Sequence, residues 1–187
     1  AGGYLTSPNW SAEPGLYRVP TAGGELQKLT DKGRNPHFID SSDRIYYTED
    51  ADSAKENEPA HELVSVDAQG TDRRVHARSS YASRIEVSPS GDYLAFRENF
   101  NVYVVPMPPG GQLDLSPKTK SVRALRASEI GGDYLNWTDG DTLTWTLGPD
   151  LYRGEMSALF ARPAASNGEP SPVYGQRIAE LGSSRPA

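Results

Sequence analysis

His37, His61 and His76 are the only histidines in a 187-residue chain that has no cysteine. The lack of cysteine removes a disulfide framework, a thiol nucleophile and thiolate metal ligands, and leaves the compartment open. A hydrolytic metal centre needs imidazoles and carboxylates converging on one or two ions, typically begun by a His-x-His pair. No such pair occurs, and His61, followed by Glu62 in EPAHEL, lacks the second histidine of an HExxH helix. Surface or packing roles are therefore expected for all three, with His37 in NPHF beside a strand and facing the edge of its repeat unit. Serine and aspartate are abundant, but no GxSxG elbow accompanies them, and SPSG at 88–91 reads as a turn. The glycine pairs in AGGE (22–25) and PGGQ (109–112) lack the helix start that cradles phosphate, and read as hairpin turns. No catalytic residue, cofactor or metal ligand is expected in this chain.

Two further groups of residues invite a function. The stretch TEDADSAKENEPAHE (48–62) carries Glu49, Asp50, Asp52, Glu56, Glu58 and Glu62. A calcium loop would need oxygen ligands at alternate positions around a glycine-assisted turn. This stretch has no glycine and no regular spacing, so it reads as a solvated loop between strands, with contact to a partner domain as the sharper alternative. Trp10, Trp137 and Trp145 suggest a carbohydrate platform. However, Trp137 and Trp145 fall at positions equivalent to Val87 and Phe96 in the repeat described below, which favours core packing.

The elements that carry these residues are strands. Apolar residues make up 36% of the chain, and the mean hydropathy is -0.63. With ten tyrosines, 18 glycines and 15 prolines, this composition suits many half-buried strands joined by frequent turns. Three segments line up: NPHFIDSSDRIYYTED (35–50), SRIEVSPSGDYLAFREN (83–99) and DYLNWTDGDTLTWTLG (133–148). Each is a strand, a tight polar turn and a second strand. The second strands begin Ile45-Tyr46-Tyr47, Leu94-Ala95-Phe96 and Leu143-Thr144-Trp145, each 49 residues after the one before. Their alternation predicts one buried sheet face.

A second strand type lies between these segments. LYRVPTAGGELQKLT (16–30), LVSVDAQGTDRRVHA (63–77) and VYVVPMPPGGQLDLS (102–116) each read as a strand, a Gly-containing turn and a return strand, and LYRGEMSALFARPA (151–164) reads as a worn fourth copy. Only SVRALRASEI (121–130) hints at a short helix. A unit of about four strands cannot cover both its faces alone, so neighbouring units must stack on it. The expected fold is all-β: four-stranded antiparallel β-propeller blades, about three recognisable and others partial, over residues 1–162. Residues 163–187 are expected as a linker or tail toward a further domain. Segment 2–11 reads as the hairpin end of a blade begun earlier, which implies a piece of a larger ring.

The repeat resembles the TolB-like, WD40-like repeat known as PD40. SPSGDYLAF (88–96) matches its turn and second strand, and LYRVPTAGGELQKLT matches its second half; IDSSDRIYY and TDGDTLTW depart from the turn's proline and glycine. YLNWTDGDTLTWTLGPDLYR (134–153) is similar to the last blade of bacterial proteins in which such repeats precede an amidohydrolase domain. PVYGQRIAELGSSRPA (172–187) is similar to their bridge into the catalytic barrel. The resemblance implies a non-catalytic propeller that scaffolds or gates a metal-dependent hydrolase of C–N bonds. It also implies a periplasmic or secreted setting, and a partner that is the catalytic domain of the same protein. The alternatives are a TolB-like protein- or peptide-binding module and the gating propeller of a serine peptidase. A net charge of -6 argues against nucleic acid as a partner. No run of 18 apolar residues is present, so no membrane span is expected.

Overall fold

The computed structural model describes residues 13–51, 61–138, 141–163, 171–172 and 174–180. The segment 2–11, Trp10, Asp52, Glu56 and Glu58 lie outside the described residues. Four sheets follow one another along the chain. The first pairs β1 (Leu16–Arg18) with β2 (Gln27–Thr30) through the AGGE turn, where Gly23 donates its N–H to the Pro20 carbonyl at 2.9 Å. The second is an antiparallel meander of β3 (Arg34–Ile39), β4 (Ser42–Asp50), β5 (His61–Val66) and β6 (Arg74–Ser79). The third contains β7 (Arg84–Val87), β8 (Tyr93–Glu98) and β9 (Asn101–Pro106). The fourth contains β12 (Asp133–Thr138), β13 (Thr142–Leu147) and β14 (Asp150–Glu155).

The expected alternation is present, but both faces of the two middle sheets are buried, not one. Ile45 and Tyr47 on β4 pack with Leu16 of the first sheet, while Tyr46 between them packs with Ile85, Leu94 and Phe96 of the third. Ala95 on β8 points the other way from Leu94 and Phe96, into a core shared with Leu143 and Trp145 of the fourth sheet. The repeat therefore has a direction. Tyr47, Phe96 and Trp145 each face the preceding sheet and are at most 1% exposed. Tyr46 and Ala95 face the following one. Thr144, the third residue in that series, lies outside all three cores, and its neighbours Tyr134 and Asn136 on β12 are exposed.

Polar turns tie the sheets at one end. The Asp40 N–H donates to the Pro89 carbonyl at 2.8 Å, and the Ser90 hydroxyl donates to Asp141 at 2.6 Å. The three turns equivalent in sequence are thus bonded in series. Gly91, at φ +85°, occupies the left-handed position of the middle turn, with Ser41 so close that a Cβ there would sit 2.7 Å from its hydroxyl.

The return strands differ from expectation. PGGQ is not a hairpin turn. Pro106, Pro108 and Pro109 offer no N–H for a ladder, and the chain leaves the third sheet. It forms β10 (Leu113–Asp114), which pairs in parallel with β6 of the second sheet and buries Leu113 and Leu115 between the two sheets. The place beside β9 is taken by β11 (Leu125–Arg126). Residues 121–130 hold no helix, because Leu125 and Ala127, two apart, both enter one core.

The only helix among the described residues is α1 (Met156–Phe160), in what was expected as the return strand of the worn fourth copy. Met, Ala and Leu favour helix, and Met156 and Leu159, three apart, seat its buried face. Past residue 162, where a tail was expected, β15 (Ser171–Pro172) lies parallel to β11, and β16 (Gln176–Glu180) completes the fourth sheet beside β14.

Trp145 is the largest fully buried side chain among the described residues, and glycines make room for it. A Cβ would approach its ring to 2.7 Å from Gly132 and to 2.2 Å from Gly175. Trp145→Ala should destabilise the chain by about 3–5 kcal/mol and Gly175→Ala by about 1–3 kcal/mol. Thr144→Ala, outside the described cores, should stay within about 0.5 kcal/mol. Urea denaturation measures all three, and equal costs for Trp145→Ala and Thr144→Ala would contradict this packing.

Candidate functional site

The three histidines fall on the second sheet in two clusters. His37 on β3 stacks on Tyr46 of β4, and Tyr46 in turn meets His76 of β6, with ring centroids 5.9 and 5.1 Å apart. A register shift between Leu63 and Val64 lets β6 bulge at His76. His37 lies on β3, at the edge of its sheet, and turns toward the third sheet. Its Nε2 accepts the Val87 N–H of the third sheet at 3.1 Å, and its Nδ1 lies 3.0 Å from the Asn35 carbonyl. That pattern requires a neutral ring protonated on Nδ1, and burial lowers the histidine's pKa accordingly.

His76 Nε2 lies 2.7 Å from the Ser65 hydroxyl, the distance of a nucleophile from its base. The surroundings argue against that chemistry. Ser65 is fully buried, and its oxygen already accepts from Arg44 Nε at 2.8 Å. Burial, followed by the nearby charges of Arg44 and Arg74, pushes the His76 pKa down to about 4. A base that weak takes no proton from a serine at neutral pH. Arg44 also binds Asp72, by carboxylate at 2.8 Å and by its carbonyl. The cluster therefore ties β4, β5 and β6 together.

The other cluster gathers the ends of the acidic stretch. Arg34 donates to Asp50 at 2.6 Å and to His61 Nδ1 at 2.9 Å. Glu49 and Glu62 stand directly opposite each other on β4 and β5, where like charges repel. Both are buried rather than solvated. Arg73 bridges them at 2.5 and 2.6 Å, and Arg78 adds a contact to Glu62 at 2.9 Å. Glycine-free β4 and β5 continue here as paired strands, which the run of acidic letters conceals. Among the described residues no group of three or more histidines and carboxylates is placed to hold a metal. Trp145 is in the core as expected. Trp137 packs against the same core, and its indole N–H has no hydrogen-bond partner among the described residues.

Among the described residues, a depression of about 380 Å³ lies open between the second and third sheets. Its walls come from the end of β6 and the following loop (Arg78 to Tyr81), the end of β8 (Glu98) and the strand that crosses over, β10 (Asp114). Ser79 shapes the loop, its hydroxyl accepting the N–H groups of Tyr81 and Ala82 at 3.3 and 3.0 Å. None of these residues was singled out in the sequence, because the depression exists only through the exchange of β10 onto the neighbouring sheet.

Compared with known proteins, the chain matches no family model and no curated protein. No helix among the described residues is long and apolar enough to cross a membrane.

The His76 environment sets a pH dependence. A histidine titrating near 6.5 when unfolded and near 4 when folded contributes stability that is complete above pH 6.5 and is lost as the pH falls toward 4. Screened by solvent at a half-buried site, the loss should be about 1–3 kcal/mol. Unfolding free energies measured across that range should fall less steeply in His76→Gln, whose amide keeps a polar partner for Ser65; an unchanged slope would contradict the assignment.

Proposed function

We propose that the chain is a TolB-like β-propeller segment of a larger protein, with a non-catalytic role in scaffolding or gating a hydrolase domain. One observation carries the reading: four sheets stack in series, and the second, third and fourth each send an aromatic from their second strand into the sheet before. The last sheet keeps Tyr134, Asn136 and Thr144 outside the described cores. Serial stacking of this kind is how radial repeats gain stability, and a ring of such sheets covers every face. The turns bonded in series at one end agree with radial repetition. The catalytic partner, a metal-dependent amidohydrolase acting on C–N bonds in the cell envelope or outside it, rests on the resemblance of residues 134–153 and 172–187. The polar clusters support a non-catalytic role, since their serine, histidines and carboxylates are engaged in holding strands together.

A second reading, a binding module for a protein or peptide, is favoured by the depression at Glu98, which is built by the fold and is open. Sequencing the reading frame on both sides of codons 1–187 tests the first reading. Further repeats of the same kind and a downstream His-x-His with additional histidine and aspartate are expected. A frame bounded by stop and start codons at these positions would overturn it and leave the binding module.

A further inference from the structure

Four glutamates are buried among the described residues: Glu49, Glu62, Glu86 and Glu98. The first three have arginines. Arg73 holds Glu49 and Glu62, and Arg84 lies 2.6 Å from Glu86. Glu98 is 7% exposed and has neither an ion pair nor a hydrogen bond among the described residues; its Oε2 is covered and unpaired. An ionised carboxylate left in that state is costly, so the position asks for a cation from outside.

Glu98 continues the face of β8 that carries Leu94 and Phe96 toward the second sheet, and there it lines the 380 Å³ depression. The one cationic side chain in the lining, Arg78, is ion-paired with Glu62 through its Nε at 2.9 Å. Asp114 adds a second carboxylate from β10, and Ser80 and Ser116 add hydroxyls. Tyr81, 74% exposed, offers the face of its ring. We propose that this depression binds a primary ammonium group, with Glu98 as its counter-ion and Tyr81 as its aromatic wall. With Oε2 covered, the carboxylate cannot take a guanidinium fork on both oxygens, whereas a compact ammonium needs one oxygen and gains from an aromatic face. Burial without a countercharge also holds the Glu98 carboxyl above its ordinary range, as expected of a site short of a cation.

The proposal stands apart from the propeller reading, since it depends only on β6, β8 and β10. An ammonium of this kind comes either from a peptide amino terminus or from a lysine side chain. Titration of the isotopically labelled 187-residue chain, followed by NMR, separates the two with glycyl-alanine amide and Nα-acetyl-lysine amide, and Nα-acetyl-alanine amide serves as the uncharged control. Saturable shifts at the amides of Ser80, Tyr81 and Ser116 are expected with at least one ammonium probe and not with the control. The probe that binds identifies the source. Glu98→Gln, which keeps the shape and removes the charge, should weaken binding at least about tenfold. Tyr81→Ala, at an exposed position that folding does not need, should weaken it as well. No saturable shift with either ammonium probe, equal binding of the control, or unchanged affinity in both variants would overturn the assignment.

Discussion

A pleated sheet with apolar side chains on both faces cannot stand in water unless both faces are covered, and that constraint governs this chain. On β4 and β8 the residues alternate between two cores, with no face left for solvent. Each middle sheet is thus wedged between its neighbours, and no sheet can fold its core without the next. The aromatic series Tyr47, Phe96 and Trp145 shows the dependence most directly, because each ring is buried by a sheet other than its own. Small residues answer the rings: Gly33 beneath Tyr47, and Gly132 and Gly175 around Trp145.

Burying both faces also buries polar groups, and the fold handles them in two ways. Most are satisfied locally. Ser65, His76 and Arg44 form one closed set, and Glu49, Glu62 and Arg73 another, each spanning adjacent strands of the second sheet. In these sets titratable side chains do mechanical work, and their apparent catalytic geometry is a by-product of satisfying buried atoms. Among the four buried glutamates described, Glu98 is the one without a partner, and it lies where the chain leaves one sheet to edge another. The exchange of β10 serves packing, since it buries Leu113 and Leu115, and in doing so it opens a depression beside a carboxylate with no partner.

Much of this was legible in the letters. The 49-residue recurrence located the three hairpins and their turns, and the period-two pattern identified strands, because hairpin chemistry and alternation are local. Burial of Trp145 followed from its equivalence to Phe96. What could not be read was non-local. Whether Ala95 faces water or a second core depends on the sheet beyond it. The destination of Leu113 depends on which neighbour has a free edge, and QRIAE is the fourth strand of its sheet only because β14 offers one. The acidic stretch misled for a related reason: Glu49 and Glu62 look like loop residues until Arg73, eleven or more positions away, is seen between them. Glu98 carried no signal, since an unpaired carboxylate is defined by what is absent around it.

Native-state hydrogen exchange measures the interdependence of the sheets most directly. If burial on both faces couples them, the amides of β4, β5, β8 and β9 should exchange slowest and share one opening free energy, with β13 and β14, covered on one face, opening earlier. Separate opening energies for the second and third sheets, or greatest protection in the fourth, would contradict the account.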